Sequence, residues 1–216
     1  MPHNSSYFYA ILCLSLLFTA CQIPDDPIAM KPSIAPPENL DTAIFAGGCF
    51  WCTESDFDKM PGVISTTSGY IGGTVVNPTY KQVVAGNTGH VEAVKIEFDT
   101  TVTDFETLLN AFWRTIDPVF AEGQFCDIGP QYRSAIFYLT PEQQAVAEAS
   151  KKILIDSGRF DLPIVTEILP ATPFYTAEDY HQDYYLKNPL RYSYYRNNCG
   201  RDTRLKQLWG DEALTH

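Results

Sequence analysis

The chain has 216 residues, enough for one domain of ordinary size, and 45% of them are hydrophobic. A chain of this length buries about 70% of its unfolded surface, so it needs no disulfide for stability. The formal net charge of −11 argues against nucleic-acid binding, because phosphate contacts need lysine and arginine. These quantities predict a globular domain that does not bind nucleic acids.

The first 20 residues have the pattern of an export signal. Residues 7–18 form an almost unbroken apolar run that is too short for a typical membrane-spanning helix. The run ends in Leu17-Phe18-Thr19-Ala20-Cys21, which resembles the end of a bacterial lipoprotein signal, in which Cys21 becomes the acylated first residue. Because no lysine or arginine precedes the run, a plain secretory signal and an uncleaved anchor are the alternatives.

Residues 21–41 are predicted to be a linker, and residues 42–216 the folded domain. The linker contains five prolines and few large apolar residues, which favours an extended chain. A lipid at Cys21 is the only membrane contact that the sequence predicts, and two or more acyl chains would make it stable. We therefore expect a location in the bacterial cell envelope, either in the periplasm or anchored at the outer membrane.

The domain begins with the stretch Ala43-Ile44-Phe45-Ala46-Gly47-Gly48-Cys49-Phe50-Trp51-Cys52. Its apolar residues predict a short buried strand, its two glycines a sharp turn, and residues 49–59 a helix. A cysteine just after such a turn lies at a helix N-terminus, where unpaired N–H groups and the helix dipole favour negative charge. We therefore expect a lowered pKa and a nucleophilic sulfur at Cys49, beside an apolar wall formed by Phe50 and Trp51.

A Cys-x-x-Cys pair can also belong to a zinc site or a structural disulfide. Zinc usually needs a second pair of ligands at similar spacing. The two other cysteines of the domain, Cys126 and Cys199, have no cysteine or histidine three residues away. A redox role is therefore favoured, and no bound metal is predicted.

Residues 91–98 predict a strand in which Glu92 shares one face with Val94, Ile96 and Phe98. A carboxyl group among apolar side chains is partly desolvated, which raises its pKa and suits a general acid near neutral pH. The alternative, equally open, is that Glu92 reaches water because it lies near the start of the strand.

The other elements alternate along the chain. They are a strand over residues 63–70, a turn and short helix over 77–84, a helix opened by a capping box at 103–106, a loop over 123–130, a strand over 131–139, a helix over 140–158, a strand over 164–169 and a helix over 176–187. In the last helix, a packed or hydrogen-bonded His181 is favoured over a metal ligand. This order predicts an α+β sandwich with helices on one face of a mixed sheet, followed by an irregular C-terminal tail.

Five motifs occur in an order that is similar to one enzyme family. They are Gly47-Gly48-Cys49-Phe50-Trp51, Asn77-Pro78-Thr79-Tyr80, Gly89-His90-Val91-Glu92-Ala93-Val94, Gln131-Tyr132-Arg133-Ser134 and Ala177-Glu178-Asp179-Tyr180-His181-Gln182. Together they resemble peptide methionine sulfoxide reductases of the A type, which are specific for the S epimer, over roughly residues 42–189. The resemblance implies a ferredoxin-like α/β sandwich with extra elements, acting on oxidised proteins or peptides and free methionine sulfoxide.

The resemblance also implies roles for seven residues. Cys49 matches the nucleophile that attacks the sulfoxide sulfur, and Glu92 matches the acid that protonates the sulfoxide oxygen. The others match substrate-contacting residues: Tyr80 and Tyr132 as hydroxyls bonded to that oxygen, Phe50 and Trp51 as a cage for the methyl group, and Asp127 as a polar residue that orients the substrate.

Sulfoxide reduction leaves a sulfenic acid on Cys49, which a second thiol must resolve to a disulfide. Cys199 is the first choice because a mobile tail can reach Cys49, and Cys126 is the second because it adjoins Asp127. Cys52, three residues along the helix, is the third choice. An external thioredoxin-like dithiol would then reduce the disulfide, with no metal, flavin or nicotinamide bound.

Two other functions compete with this one. A thioredoxin-like thiol–disulfide oxidoreductase would use Cys49 and Cys52 as its pair, but it would leave Glu92, Tyr80 and Tyr132 without a role. A non-catalytic surface lipoprotein would have structural cysteines and an unreactive Cys49.

Overall fold

The computed structural model describes residue 1 and residues 39–214. The predicted signal and most of the predicted linker lie outside the described residues, so both stay predictions. The first strand begins at Leu40, two residues before the predicted start of the domain. Among the described residues, no helix is long and apolar enough to cross a membrane.

Eight strands lie within residues 39–214. They are β1 (Leu40–Gly47), β2 (Val63–Ile71), β3 (Val91–Asp99), β4 (Gly123–Gln124), β5 (Asp127–Ile128), β6 (Ser134–Tyr138), β7 (Glu167–Pro170) and β8 (Tyr175–Thr176). Six of them form one sheet in the order β7-β6-β1-β3-β2-β8, and β4 pairs with β5 in a small hairpin. The sheet is mixed, because β6 and β7 are parallel and the other neighbours are antiparallel.

The same part of the chain contains seven α-helices. They are α1 (Phe50–Phe57), α2 (Tyr80–Val84), α3 (Phe105–Trp113), α4 (Pro141–Asp156), α5 (Tyr184–Lys187), α6 (Pro189–Asn198) and α7 (Arg201–Trp209). Thr140 caps α4 as predicted, whereas α3 is capped by Asp104, whose carboxylate accepts from the N–H of Thr107, rather than by Thr103. Side-chain caps of this kind satisfy N–H groups that have no partner inside the helix.

The central elements β1, α1, β2, β3, α3 and β6 give the order βαββαβ, with β6-β1-β3-β2 side by side. This is the ferredoxin-like arrangement, and the predicted α+β sandwich is confirmed. Alternate residues of β1 face opposite ways. Phe45 stacks on Phe112 of α3 with ring centroids 4.7 Å apart, whereas Ile44 joins a second apolar cluster on the other face of the sheet, against Phe174.

The C-terminal region differs from its prediction. Residues 189–209 form α6 and α7 instead of an irregular tail, and the predicted helix over 176–187 is reduced to α5 after a left-handed turn at Asp183 (φ 52°). The predicted strand over 131–139 begins only at Ser134, because Pro130–Tyr132 form a 3-10 turn. In α6 and α7 the inward-facing residues include arginines, so these helices lack the apolar stripe that identifies a helix in a sequence.

Candidate active site

The turn after β1 places Cys49 at the start of α1. Gly48 has a φ of +86°, and a Cβ atom there would lie 2.5 Å from the Cβ of Gln124, so only glycine fits. Cys49 is the N-cap residue, and its carbonyl accepts hydrogen bonds from the N–H groups of Cys52 and Thr53 at 3.1 and 3.3 Å. The helix N-terminus expected at this cysteine is therefore present.

The seven residues predicted to act on the substrate border one cavity of about 90 Å³, which Tyr195 also lines. They are Cys49, Phe50, Trp51, Tyr80, Glu92, Asp127 and Tyr132. This volume is well below the roughly 300–1,000 Å³ of sites that hold a drug-sized ligand. The cavity therefore suits the end of a single side chain. The structure brings the predicted residues together, while their individual roles stay predictions.

Glu92 lines this cavity and is buried, with 2% of its surface exposed. Its Oε2 accepts a hydrogen bond of 3.0 Å from the backbone N–H of Phe50. Burial raises the pKa of Glu92 to about 8, with a smaller increase from Asp127, and the bond from Phe50 opposes the shift. The carboxyl group is thus mostly protonated at neutral pH. The expected desolvation is confirmed, and the alternative that Glu92 reaches water is wrong.

Tyr80 and Tyr132 line the cavity together with Cys49. Burial, and then the charge of Glu92, raise the pKa of Tyr80 to about 12, and the same two causes raise the pKa of Tyr132 further. Both phenols therefore stay protonated and able to donate. The start of α2, which carries Tyr80, is fixed by Glu178, whose Oε1 accepts from the Tyr80 N–H at 2.9 Å.

Trp51 forms a flat apolar side of the cavity. Its ring stacks on Tyr184 of α5 with centroids 3.7 Å apart and planes 6° from parallel. Its Nε1 donates a 3.0 Å hydrogen bond to Nδ1 of His181. Since an indole N–H can only donate, the neutral imidazole carries its proton on Nε2. His181 is therefore a packed, hydrogen-bonded histidine, as predicted, and it orients Trp51.

Cys49 and Cys52 are the free cysteines of the described residues, and both are buried. The two thiols are hydrogen-bonded to each other. Burial, the bond to Cys52 and nearby negative charge raise the pKa of Cys49 well above its ordinary value. The bond from Cys49, assisted by Arg201 and Arg196, lowers the pKa of Cys52 although burial opposes it. The expected lowering at Cys49 is therefore wrong, because one helix terminus does not outweigh complete burial.

Two buried arginines from the C-terminal helices lie behind α1. Arg196 Nη1 is 2.7 Å from Asp56 Oδ1, and its Nη2 is 2.7 Å from Asp202. Arg201 Nη2 donates to the carbonyl oxygens of Gly47 and Thr115 at 3.2 and 2.7 Å, and so holds the end of β1 just before Cys49. Neither residue is indicated by the sequence beyond the basic, aromatic composition after residue 189.

The structure joins Cys126 to Cys199 in a disulfide with Cα atoms 5.0 Å apart. The first and second choices for the resolving thiol are thus bonded to each other rather than free. Cys199 also follows the end of α6, so the premise of a mobile tail is wrong. Which cysteine resolves the sulfenic acid stays a prediction.

A neutral carboxylic acid beside a buried thiol pair can protonate an oxygen atom while that oxygen is transferred from a substrate sulfur to a thiol sulfur. Together with the ferredoxin-like sandwich, this chemistry defines the class as a thiol-dependent oxidoreductase.

Comparison with known proteins specifies the family. The model of the family "Peptide methionine sulfoxide reductase" matches residues 41–213. "Peptide methionine sulfoxide reductase MsrA" of Ligilactobacillus salivarius is 56% identical over 169 residues, which cover 78% of this chain and 98% of that protein. The protein of the same name from Halalkalibacterium halodurans is 53% identical over 173 residues, 80% of this chain and 98% of that protein. The chain therefore belongs to the peptide methionine sulfoxide reductase family.

Solved structures agree with this assignment. Methionine sulfoxide reductase A of Corynebacterium diphtheriae aligns with a TM-score of 0.64 at 36% identity, covering 72% of this chain and 78% of that one. Mxr1 from Saccharomyces cerevisiae in reduced form aligns with a TM-score of 0.65 at 30% identity, covering 71% and 88%. The predicted family, fold class and enzyme class, a peptide-methionine (S)-S-oxide reductase, are confirmed.

Proposed function

We propose that the Cys49 cavity reduces the S epimer of methionine sulfoxide, both in oxidised proteins and as the free amino acid. The observation that supports this most strongly is the buried, protonated Glu92 beside Cys49 in a cavity that fits only the end of a side chain. A sulfoxide has a polar oxygen and an apolar methyl group on one sulfur. The cavity offers Glu92 and two tyrosine hydroxyls to the oxygen, and aromatic rings to the methyl group.

In the first step, the Cys49 sulfur attacks the sulfoxide sulfur while Glu92 donates its proton to the oxygen. The proton that the Cys49 thiol loses returns to the Glu92 carboxylate, so the step consumes no outside acid. The attack forms a bond between the two sulfurs. The oxygen then moves to Cys49 as a hydroxyl group, its bond to the substrate sulfur and the sulfur–sulfur bond both break, and methionine leaves. Cys49 is thereby oxidised to a sulfenic acid, and the sulfoxide is reduced by two electrons.

In the second step, we assign the resolving thiol to Cys52, ahead of Cys199 and Cys126. Cys52 is free and hydrogen-bonded to Cys49, whereas the other two are bonded to each other. The Cys52 sulfur attacks the sulfenic sulfur, a disulfide forms between Cys49 and Cys52, and the hydroxyl group leaves as water. A cysteine at a helix N-cap and another three residues later lie close enough for this bond.

The cycle closes when an external thioredoxin-like dithiol gives two electrons to the disulfide and is itself oxidised. None of these steps uses a metal, flavin or nicotinamide. We further propose, on sequence grounds alone, that the protein works in the cell envelope, with a lipid on Cys21 as its membrane attachment.

The competing thioredoxin-like function is disfavoured by the lining of the cavity. Glu92, Tyr80 and Tyr132 border the same cavity as Cys49. A thiol–disulfide oxidoreductase that uses Cys49 and Cys52 would leave these three groups without a role, whereas a sulfoxide oxygen needs a proton donor and hydrogen-bond donors.

A single turnover without external reductant tests the proposal. The reduced full-length chain is mixed separately with the S and R epimers, and both the methionine formed and the new disulfide are identified. We expect methionine from the S epimer alone and a disulfide between Cys49 and Cys52. Cys49→Ser should form no methionine, while Cys52→Ser should form it once and retain the sulfenic acid.

Other outcomes would change the proposal in specific ways. A disulfide between Cys49 and Cys199 would restore the first choice made from the sequence. Methionine from neither epimer would overturn the function and favour the thiol–disulfide oxidoreductase.

A further inference from the structure

Two segments far apart in sequence are joined covalently beside the cavity. Cys126 lies in the turn between β4 and β5, Cys199 follows the end of α6, and 73 residues separate them. The backbone N–H of Cys126 also donates to Sγ of Cys199 at 3.2 Å. The reaction steps proposed above do not use this disulfide.

Each of these segments supplies one residue of the cavity wall. Asp127 directly follows Cys126, and Tyr195 lies one helical turn before Cys199, whose N–H donates to the Tyr195 carbonyl at 2.9 Å. The Tyr195 hydroxyl donates to Oδ2 of Asp127. Both side chains border the cavity with Cys49. The disulfide thus fixes the two segments together at the place where their side chains meet.

The hairpin that carries Asp127 is anchored at its base by the buried Gln124 side chain, which hydrogen-bonds the backbone N–H and carbonyl of Asp117 at 2.8 Å. Beyond Gln124 the hairpin is more exposed. The hairpin strands are two residues each, Phe125 has a left-handed φ of 56°, and Ile128 is 57% exposed. On the inner side, the guanidinium of Arg201 lies over the Phe125 ring at 4.5 Å from its centroid. A covalent bond to α6 therefore restricts this turn more than its own strand pairing does.

We propose that the Cys126–Cys199 disulfide is a clasp that positions Asp127 and Tyr195 against the substrate, and that it is not a carrier of electrons. The clasp is a positioning device for the Cys49 cavity and rests on the proposed function. Cys49 and Glu92 lie on α1 and β3, which the disulfide does not connect. Opening the clasp should therefore weaken substrate capture and leave the chemical step nearly unchanged.

Cys126 is exposed, so a dithiol in solution can open the clasp. The dithiol would supply two electrons and two protons, the sulfur–sulfur bond would break into two thiols, and the dithiol would become a disulfide. Substrate affinity would then depend on the redox state of a site that the reaction itself does not use.

Binding measured in a Cys49→Ser background separates affinity from turnover. The full chain with this substitution is titrated calorimetrically with a peptide that carries one S-methionine sulfoxide, first with the clasp closed and then after dithiothreitol treatment. We expect about tenfold weaker binding with the clasp open, the effect of misplacing one polar contact to the substrate. The same background with Cys126→Ala and Cys199→Ala should bind weakly in both conditions.

Single-turnover kinetics without dithiol, which leave the parent's clasp closed, and a double-mutant cycle show whether the clasp acts through Tyr195. The Cys126→Ala/Cys199→Ala chain should need a higher substrate concentration for its half-maximal rate, with a maximal rate within about threefold of the parent. Adding Tyr195→Phe should cost less in this chain than in the parent, because both changes release the same contact to Asp127. A disulfide that only raised overall stability would give additive effects.

Three outcomes would overturn the clasp. Equal affinity in the closed and open forms would remove the positioning role. The disulfide would be an electron carrier if the Cys126→Ala/Cys199→Ala chain had an unchanged KM and turned over with dithiothreitol but not with a thioredoxin. No binding even with the clasp closed would contradict the proposed function of the cavity, and the clasp would fall with it.

Discussion

The two sides of the Cys49 cavity are built by different means. One side is carried by β1, α1 and β3, where Cys49 and Glu92 are fixed by strand pairing and a glycine turn. The other side includes Tyr195 of α6 and is supported by Tyr184 of α5, which stacks on Trp51. The C-terminal helices are held there by the disulfide and by buried ion pairs. The first side holds the reacting groups, and the second shapes the space in front of them.

This difference separates chemistry from recognition. Changes on the sheet side should mainly alter kcat, because they remove groups that act in the transition state. Changes on the helical side should mainly alter KM or folding stability. The predictions below test that division, beginning with the largest expected effect.

Glu92→Gln should lower kcat by about 10²–10⁴-fold, because the amide keeps the shape but cannot donate the proton. The single-turnover rate of methionine formation measures this directly. Glu97→Gln, on the opposite face of the same strand, is the matched control and should leave the rate unchanged. A loss smaller than threefold in Glu92→Gln would mean that another group supplies the proton.

Arg196→Met should lower the free energy of unfolding by roughly 3–5 kcal/mol, because it removes the nearest cation from buried Asp56. Urea unfolding followed by circular dichroism measures the change. Lys152→Met removes one partner of an exposed pair on α4 and should cost under about 0.5 kcal/mol. Equal costs for the two variants would show that the ion pairs do not hold the helical side in place.

The single-turnover rate should be constant below pH 7 and fall by about tenfold per pH unit above pH 8, as Glu92 loses the proton it must donate. Rapid-quench measurements without dithiol reductant avoid titration of the reductant. The fall should be absent in Glu92→Gln. A rate that rises through pH 8 instead would show that thiol ionisation, rather than the acid, limits the step.

The free energy of unfolding should also depend on the protonation of Glu92. The pKa of Glu92 is raised by folding from its ordinary value of 4.5 to about 8, so its contribution is complete below pH 4.5. That contribution is lost as the pH rises to 8, because the unfolded chain releases the proton first. Urea unfolding from pH 4.5 to 8.5 should therefore show a weaker loss of stability in Glu92→Gln than in the parent.

Tyr184→Leu should give the smallest effect, a rise in KM of a few-fold with kcat unchanged, since an aromatic pair contributes about 0.5–1.5 kcal/mol beyond its buried area. Steady-state kinetics with a sulfoxide peptide measures it. Tyr194→Leu, at an exposed position of α6, is the control and should have no effect. If Tyr184→Leu lowers kcat by a larger factor than it raises KM, Tyr184 belongs with the side that holds the reacting groups.

The same division decides what the sequence could predict. The strand, turn and helix around Cys49, and the alternation that buries Glu92, depend on neighbouring residues, so their patterns are visible in one sequence. The pairing of Cys126 with Cys199 and the positions of Arg196 and Arg201 depend on contacts between distant segments. No pattern within α6 or α7 indicates that these arginines are buried. Arg196 of α6 pairs with Asp56 and Asp202, and Arg201 of α7 donates to two backbone carbonyls, all of them outside the helix that carries the arginine.

The pKa of Cys49 shows the same limit. Its place at a helix N-terminus is visible in the sequence, and by itself this place favours a thiolate. The burial that reverses the expectation comes from the way α5 and α6 cover α1, where Tyr184 and Tyr192 pack with both cysteines. The sequence locates the nucleophile correctly but does not reveal its resting ionisation.

The direction of β1 separates the entry of the chain from the reacting sulfur. Leu40 lies at one end of this strand and Gly47, next to the cavity, at the other, and eight residues of strand span about 25 Å. The N-terminal end of β1 is therefore a suitable place to attach a label or a fused domain, because an addition there starts about 25 Å from Cys49.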